Sequence, residues 1–276
     1  MPAHDVQTAP STPTDLSSTV VTHRFVVAWQ HPDRRSIEPV GFLTYDGHIY
    51  RYSYIWNALN VGGFQPLLGF PDLYRDYSAE DLFPLFAQRA MDPRRPDFER
   101  YLKRLGLEGE QGPLEQIARS QGRRQGDTIQ LLPVPQTHGD KLTFLFLVNG
   151  VRHVPDRALV LDGREVHATR EQVEDVLKEL KRGDVLGLVR EPQNPVNPLA
   201  VVVTASLTPV GWVPDLLVED LQRLMGHVKV TVTVEHVNGQ DAPWHLRLLA
   251  RLRASPVAGF QFFAGKKWRL LSGEDQ

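Results

Sequence analysis

Short apolar runs separated by turn residues alternate along the chain, a pattern typical of strands joined by tight loops. Runs rich in β-branched and aromatic residues predict strands at 24–30, 127–135, 143–148, 199–204 and 228–237. Two further runs flank Asp46-Gly47, a dipeptide that favours a hairpin because both turn residues would adopt positive φ. A hairpin is therefore predicted within residues 39–54.

A smaller number of segments carry the helical period of apolar residues. Ser78 followed by Asp81 resembles a capping box, and Thr169 followed by Gln172 forms another. A strand entering Gly211-Trp212-Val213-Pro214 precedes a third amphipathic segment. The predicted helices are 79–90, 96–105 ended by Gly106, 113–120, a helix from Thr169 to before Gly183, and one from Pro214 to about Met225.

Composition places the chain among globular proteins of one large or two ordinary domains, with 276 residues, 41% hydrophobic and 23% charged. The absence of cysteine excludes disulfides, thiolate metal sites and cysteine nucleophiles, and it fits a reducing compartment. No apolar run approaches the roughly 20 residues of a membrane span. Residues 1–22, rich in Pro, Ser and Thr, lack a secretory signal and are predicted to be a disordered tail. We therefore expect a cytoplasmic protein without membrane contact.

The motifs of catalysis and cofactor binding are missing. The ten histidines form no His-x-x-x-His pattern, and the sequence contains no P-loop, no Gly-x-Gly-x-x-Gly after a strand and no Gly-x-Ser-x-Gly elbow. We therefore predict a non-catalytic binding module with no metal and no cofactor. Any hydrolase activity would belong to a separate partner.

The loop at 191–198 is the main candidate for a binding surface. It holds three prolines and two asparagines between two apolar strands, which is costly to arrange for packing alone. Arg152 and His153 follow the end of another predicted strand, where side chains often face a ligand, although an exposed turn is the alternative. These features predict a shaped surface built from separate parts of the chain.

Positive charge is concentrated near the C-terminus, while the net charge of the whole chain is only −2. Residues 242–273 carry six basic residues and no acidic one. Trp244, Arg247, Lys266 and Lys267 belong to this stretch and interleave with three phenylalanines and a second tryptophan. Aromatic and basic residues together are typical of a single-strand nucleic-acid platform. A C-terminal strand with its basic residues facing water is the alternative.

Two other groups admit two interpretations. The aromatic residues Tyr45, Tyr50, Tyr52, Tyr54 and Trp56 could form a face for base stacking, but such clusters are more often packed core. Arg123 and Arg124 in a Gly/Arg-rich segment could contact a phosphate or belong to a solvated loop.

The C-terminal half resembles the HIRAN domain over about residues 143–240. The residues that carry the likeness are Gly183-Asp184, Leu188 to Pro192, Asn194-Pro195, Ala200-Val201-Val202, Gly211-Trp212-Val213-Pro214 and the helix that follows. The resemblance implies a compact β-barrel with two helices that binds the 3′ end of single-stranded DNA.

The same resemblance implies which residues form the pocket. Arg152 and His153 stand where the family has an Arg-aromatic pair, and Asn194 and Pro195 match its loop. Val196 replaces the expected loop aromatic, and Asp215 replaces a basic residue. Trp212 and His153 could supply the missing aromatic surface. The predicted DNA-binding residues are Arg152, His153, Asn194, Pro195, Val196, Trp212, Trp244, Arg247, Lys266 and Lys267.

The N-terminal half resembles the N-terminal subdomain of HipA-like proteins over about residues 24–107. Val40-Gly41-Phe42-Leu43, the hairpin tyrosines and the segments at 69–73 and 82–89 carry the likeness. It implies a small sheet with packed helices and no kinase activity, because the rest of the chain is too short for the kinase core.

Together these inferences predict an α+β protein divided into a tail (1–22), a HipA-like domain (23–107), a linking region (108–141) and a HIRAN-like domain (142–271). The predicted function is binding of single-stranded DNA or free 3′ ends, in DNA repair or the handling of foreign DNA. The alternative is a protein-interaction adaptor, with the N-terminal half docking a partner and the HIRAN-like half no longer binding DNA.

Overall fold

A computed structural model describes residues 23–109, 112–123 and 127–273. The predicted disordered tail and Arg124 lie outside these ranges. The strands in the described ranges are β1 (His23–Gln30), β2 (Ile37–Tyr45), β3 (Tyr50–Tyr54), β4 (Tyr77–Ala79), β5 (Ile129–Pro133), β6 (Gln136–His138), β7 (Lys141–Leu147), β8 (Leu159–Leu161), β9 (Arg164–Val166), β10 (Val185–Arg190), β11 (Val201–Ala205), β12 (Thr208–Trp212), β13 (Thr231–Val237) and β14 (Leu248–Ala254). The helices are α1 (Pro84–Ala87), α2 (Phe98–Arg104), α3 (Pro113–Ser120), α4 (Arg170–Glu179) and α5 (Asp215–Met225), with short 3-10 turns at Trp56–Leu59, Val151–Asp156, Trp244–Leu246 and Lys266–Trp268. The prediction of an α+β protein is confirmed.

The first sheet has the antiparallel order β4-β3-β2-β1-β5. β5 comes from the segment predicted to link two domains and pairs with β1 from Phe25 opposite Pro133 to Trp29 opposite Ile129. The predicted hairpin is confirmed, but its loop has four residues, and of Asp46 and Gly47 only Gly47 has a positive φ. The Asp46 carboxylate holds this wider turn by accepting hydrogen bonds from the backbone of His48 and Ile49.

The prediction of a helix over 79–90 is wrong. Ser78 belongs to the edge strand β4, and the only helix there is the short α1, which begins at Pro84. A proline has no backbone N–H and its ring clashes with the carbonyl four residues earlier, so a helix could not run through this position from residue 79. Proline is instead favoured in the first turn, where it stands.

The second sheet has the order β12-β11-β10-β13-β14-β7-β6. The prediction of a β-barrel here needs correction, because the described strands form no closed barrel. Among the described residues, β12 meets the β7 side of the sheet through an isolated bridge between Asn149, just after β7, and Trp212 at the end of β12. β10 and β13 pair at two positions, and two backbone hydrogen bonds of 2.9 Å that join Val234 to Gly183 and Asp184 extend this contact.

The two helices predicted for the second half are confirmed. Thr169 caps α4 with a full capping box, in which its hydroxyl accepts from the Gln172 backbone and the Gln172 side chain accepts from the Thr169 backbone. α5 buries Leu217, Leu221 and Leu224 against the same core as β11 and β13. Both helices thus cover the sheet and leave the loop between β10 and β11 at the surface.

One buried cluster spans both sheets. Successive residues of β1 point to opposite faces, so Phe25 and Val27 pack in the N-terminal core while Val26 packs with the core of the second sheet. Phe42 and Leu132 join Val26 in that second core. This burial on both faces explains the uninterrupted apolar run in β1.

The C-terminal segment returns to the first sheet without forming the alternative C-terminal strand. Leu270 makes one bridge to Ile55, and Arg269 accepts a backbone hydrogen bond from Trp56 at 2.8 Å. Phe263 and Trp268 are buried. The tyrosine cluster is likewise mostly core, since Tyr52 and Tyr54 have no exposed surface.

Candidate nucleic-acid interface

The junction between β7 and the following 3-10 turn positions the first part of the site. Asn149 and Trp212 exchange two backbone hydrogen bonds, each of 2.8 Å. This close approach requires glycine at two positions. A Cβ on Gly211 would lie 2.4 Å from the Asn149 carbonyl oxygen, and a Cβ on Gly150 would lie 2.7 Å from Cε3 of the Trp212 ring. The tryptophan therefore packs directly against the backbone of Gly150.

A buried carboxylate joins three parts of the site. Glu191, the first residue after β10, is 1% exposed. Its Oε2 accepts hydrogen bonds from Nε1 of Trp212 at 2.8 Å and from Nδ2 of Asn194 at 2.7 Å. Its Oε1 lies 2.6 Å from the guanidinium of Arg157. A buried charge is stable only when it is paired and hydrogen-bonded, so Glu191 fixes these three side chains relative to one another.

Asn194 shapes its loop from within. Its Oδ1 accepts hydrogen bonds from the backbone N–H groups of Val196 at 2.9 Å and Asn197 at 3.1 Å. With Nδ2 bonded to Glu191, the amide is used mainly to hold the turn. Asn197 in turn donates to Asp215 at 2.9 Å, which ties the loop to the start of α5.

Arg152, His153 and Asp156 form a short chain on the exposed side of the 3-10 turn. Nε of Arg152 donates to Nε2 of His153 at 2.8 Å, and Nδ1 of His153 lies 2.7 Å from the Asp156 carboxylate. This pattern assigns the imidazole proton to Nδ1, because Nε2 accepts. The chain fixes the plane of the imidazole ring.

These parts enclose a cleft of about 430 Å³, which we call the loop cleft. It brings together five predicted residues, namely His153, Asn194, Pro195, Val196 and Trp212. Arg157, Asp156 and Asp215 also line it. The walls are mainly apolar ring and aliphatic surface, and the side chain of Val196 stands on the rim with 86% of its surface exposed. The volume lies within the usual range for a small-molecule site.

A larger cleft of about 790 Å³ adjoins the first, and we call it the arginine cleft. It holds Arg152 and Trp244 of the predicted residues, together with Arg35, Arg123 and His245. Both clefts are lined by Asn149, Gly150, His153 and Asp215. The two clefts thus meet along the segment that follows β7.

Three predicted residues lie elsewhere. Arg247 is 2% exposed and forms a bidentate ion pair with Glu174, with both distances 2.7 Å. Its guanidinium also lies 5.2 Å from the Trp244 ring centroid, so it supports the tryptophan. Lys266 lies 4.5 Å from the Trp56 ring centroid and Lys267 pairs with Glu219 at 2.8 Å. The structure does not bring these three side chains to either cleft.

Sequence reasoning missed Glu191, Arg157 and Gly150 as site residues. Glu191 looked like one more polar residue of a proline-rich loop, and nothing in its neighbours indicates burial. Gly150 could have been noticed only as a glycine directly after a strand. Its role depends on Trp212, which is 62 positions away along the chain.

Comparison with known proteins assigns no family. No protein-family model and no curated protein matches the sequence. A solved structure of a protein from Lactobacillus plantarum aligns at 19% identity and a TM-score of 0.29, covering 43% of this chain and 93% of its own. The HIRAN domain of human HLTF aligns at 14% identity and a TM-score of 0.26, covering 43% of this chain and 80% of its own.

Two further findings concern the described residues alone. Their helices include none that is long and apolar enough to cross a membrane. Within the same ranges, no group of three or more histidine, aspartate or glutamate side chains is arranged to hold a metal ion.

Proposed function

We propose that this protein binds single-stranded DNA at a free 3′ end, with the last nucleotide in the loop cleft. The observation that carries the proposal is the convergence of His153, Pro195 and Trp212 on one cleft, in which the buried Glu191 holds Trp212 in place. Aromatic and apolar walls accept the face of any base, since stacking does not require a particular hydrogen-bond pattern. The resemblance of this loop to the HIRAN domain supports the choice of the 3′ end.

The charges at the loop cleft favour a terminal hydroxyl over a terminal phosphate. Asp156 and Asp215 present carboxylates at its lining, and Arg157 is already paired with Glu191. A carboxylate accepts a hydrogen bond from a sugar hydroxyl and repels a phosphate. Asp215 stands where the family pattern has a basic residue. Its carboxylate would favour a strand that ends in a 3′-hydroxyl over one that ends in a 3′-phosphate.

Fluorescence anisotropy with a 5′-labelled thymidine oligonucleotide of about 12 nucleotides tests the proposal. We expect salt-dependent binding that is tighter for a 3′-hydroxyl than for a 3′-phosphate. Trp212→Leu should weaken binding about tenfold, whereas Trp212→Phe should keep most of the affinity. Both variants lose the N–H that bonds Glu191, so their difference isolates the ring. Equal affinity for the 3′-hydroxyl and 3′-phosphate oligonucleotides would contradict recognition of the end. A lack of binding to both would contradict the whole proposal.

The adaptor function is the second candidate, and the exposed apolar surface of Val196 and Leu199 favours it. Val196 is 86% exposed and Leu199 is 43% exposed, on the same loop. Under this alternative, a protein partner stays bound after nuclease treatment and oligonucleotides show no affinity. Arg152→Ala lies outside this loop and would then leave partner binding intact, whereas it should weaken DNA binding under the first proposal.

The proposal is of a binding module that acts without catalysis, metal or cofactor. In the cytoplasm, recognition of a free 3′ end would serve DNA repair or the handling of foreign DNA. Incubation with labelled single-stranded DNA and Mg²⁺ tests this part, since cleavage or strand modification by the purified chain would contradict it.

A further inference from the structure

The arginine cleft is lined by guanidinium groups from both halves of the chain. Arg35 and Arg123 come from the N-terminal half, and Arg152 comes from the segment after β7. Within the described ranges, none of the three forms an ion pair with a carboxylate, and the side-chain bonds of Arg123 and Arg152 go to Gln130 and His153. Arginines in a cleft without carboxylate partners can bind an anion.

The acidic residues of this cleft are already engaged. Asp127 pairs with Arg89 at 2.6 Å and accepts a hydrogen bond from the Ile129 backbone at 2.8 Å. Asp215 accepts from Asn197 at 2.9 Å and stands at the first position of α5, where the helix dipole stabilises a negative charge. Three guanidinium groups thus outnumber Asp215, the one lining carboxylate without a cationic partner among the described residues.

Arg123 is the most constrained of these arginines. One Nη donates to Oε1 of Gln130 at 3.0 Å, but its Nε is buried and bonds no described residue. Burial lowers the pKa of Arg123 to about 10, so the group remains charged at neutral pH. Burial also lowers the pKa of nearby His245, with a smaller contribution from the charge of Arg123. A desolvated cation with unused donors is stabilised by an anionic ligand.

We propose that the arginine cleft binds phosphodiester groups of the strand whose last nucleotide occupies the loop cleft. The inference rests on the proposed function and extends it to the N-terminal half. The shared lining residues Asn149, Gly150, His153 and Asp215 place the two clefts on one continuous path. The last base and the terminal hydroxyl then lie in the loop cleft. The phosphates of the preceding nucleotides lie in the arginine cleft, where Arg35, Arg123 and Arg152 bind them. A free nucleotide is the other source of the same phosphate chemistry.

The test uses the full chain and the same oligonucleotide of about 12 nucleotides in anisotropy titrations at several salt concentrations. Arg35→Ala and Arg123→Gln are the variants, and Arg94→Ala is the matched control because that side chain is 90% exposed and lies outside the cleft. We expect each cleft variant to bind about tenfold more weakly, with a salt slope smaller by about one, and to keep its preference for the 3′-hydroxyl. Arg35 is exposed, so its variant keeps the test valid if Arg123→Gln is poorly folded.

The outcomes separate this inference from the function on which it rests. Unchanged affinity and salt slope in both cleft variants, with the end preference intact, would overturn the inference alone. An equal loss in Arg94→Ala would also overturn it, because the effect would then be one of general charge. Thermal stabilisation by thymidine monophosphate that Arg123→Gln abolishes, without any oligonucleotide binding, would assign the cleft to free nucleotides and overturn both proposals.

Discussion

Nε1 of Trp212 donates a hydrogen bond of 2.8 Å to the carboxylate of Glu191, a residue with 1% of its surface exposed. The bond connects the end of β12 to the end of β10, and the same carboxylate binds Asn194 and Arg157. One buried charge therefore sets the geometry of a surface loop. Stability of the fold and shape of the loop cleft are coupled through this residue.

Replacing Glu191 should therefore affect both stability and binding. Glu191→Ala leaves the guanidinium of Arg157 without its carboxylate partner, and it leaves the indole N–H of Trp212 and the side-chain amide of Asn194 without their acceptor. We expect a loss of about 3 kcal/mol in the free energy of unfolding, measured by urea denaturation. Glu165→Ala, on an exposed position of β9, is the control and should change stability by less than about 0.5 kcal/mol. Similar values for the two variants would show that the buried carboxylate does not organise the site.

The contact between Gly150 and Trp212 yields a second prediction. Gly150→Ala puts a methyl group 2.7 Å from the tryptophan ring, at a backbone φ of +68°. Gly163→Ala is the matched control, since its φ is +75° and its added methyl would meet no atom within 4 Å. The control should lose about 1 kcal/mol from backbone strain alone, and Gly150→Ala about 2 kcal/mol more from the clash. Equal losses in urea denaturation would mean that the ring moves aside freely.

Local patterns predicted a good part of this fold. The capping box at Thr169, the helix end at Gly106 and the hairpin around Gly47 all depend on residues within a few positions of each other. The loop at 191–198 is also visible in the sequence, because its prolines and asparagines interrupt two apolar strands and favour a turn. Such features need no knowledge of the rest of the chain.

The failures have different physical causes. The prediction of a helix from Ser78 fails because of Pro84, six residues after the capping pattern. The proline ring would clash with the preceding turn of such a helix, and this cost outweighs the benefit of the cap. Arg247 looked like a surface cation, but Glu174 lies 73 positions away in the sequence and pairs with it in a buried site. Asn149 and Trp212, which also pair, lie 63 positions apart along the chain. Sequence patterns do not determine such long-range partners.

The pair formed by Arg247 and Glu174 makes a pH-dependent prediction. The side-chain hydrogen bonds from Arg247 are the main cause that lowers the pKa of Glu174 in the folded state, against an opposing effect of burial. A depressed folded pKa contributes stability above the unfolded value of about 4.3, and this contribution disappears as the pH falls through the folded value. Arg247→Met should therefore cost about 3 kcal/mol at neutral pH and progressively less below about pH 4.

Urea denaturation of wild type and variant across this pH range measures the difference directly. Arg94→Met is the control, because Arg94 is 90% exposed and the loss of its surface ion pair with Asp92 should change stability by less than about 1 kcal/mol at every pH. If the loss of unfolding free energy in Arg247→Met stays the same at the lowest pH, the loss comes from packing against Trp244 and not from the ion pair.

The rim of the loop cleft offers a gain-of-function test at Val196. This position is 86% exposed, so Val196→Tyr adds a ring at the mouth of the cleft without disturbing packed atoms. Base stacking on an aromatic ring contributes about 1 kcal/mol or more, so affinity for the single strand should rise about fivefold. Leu68→Tyr is the matched control, since Leu68 is also 86% exposed but lies in the N-terminal half outside both clefts. An equal gain from both substitutions would indicate nonspecific stacking, and an unchanged affinity for Val196→Tyr would place the terminal base away from this rim.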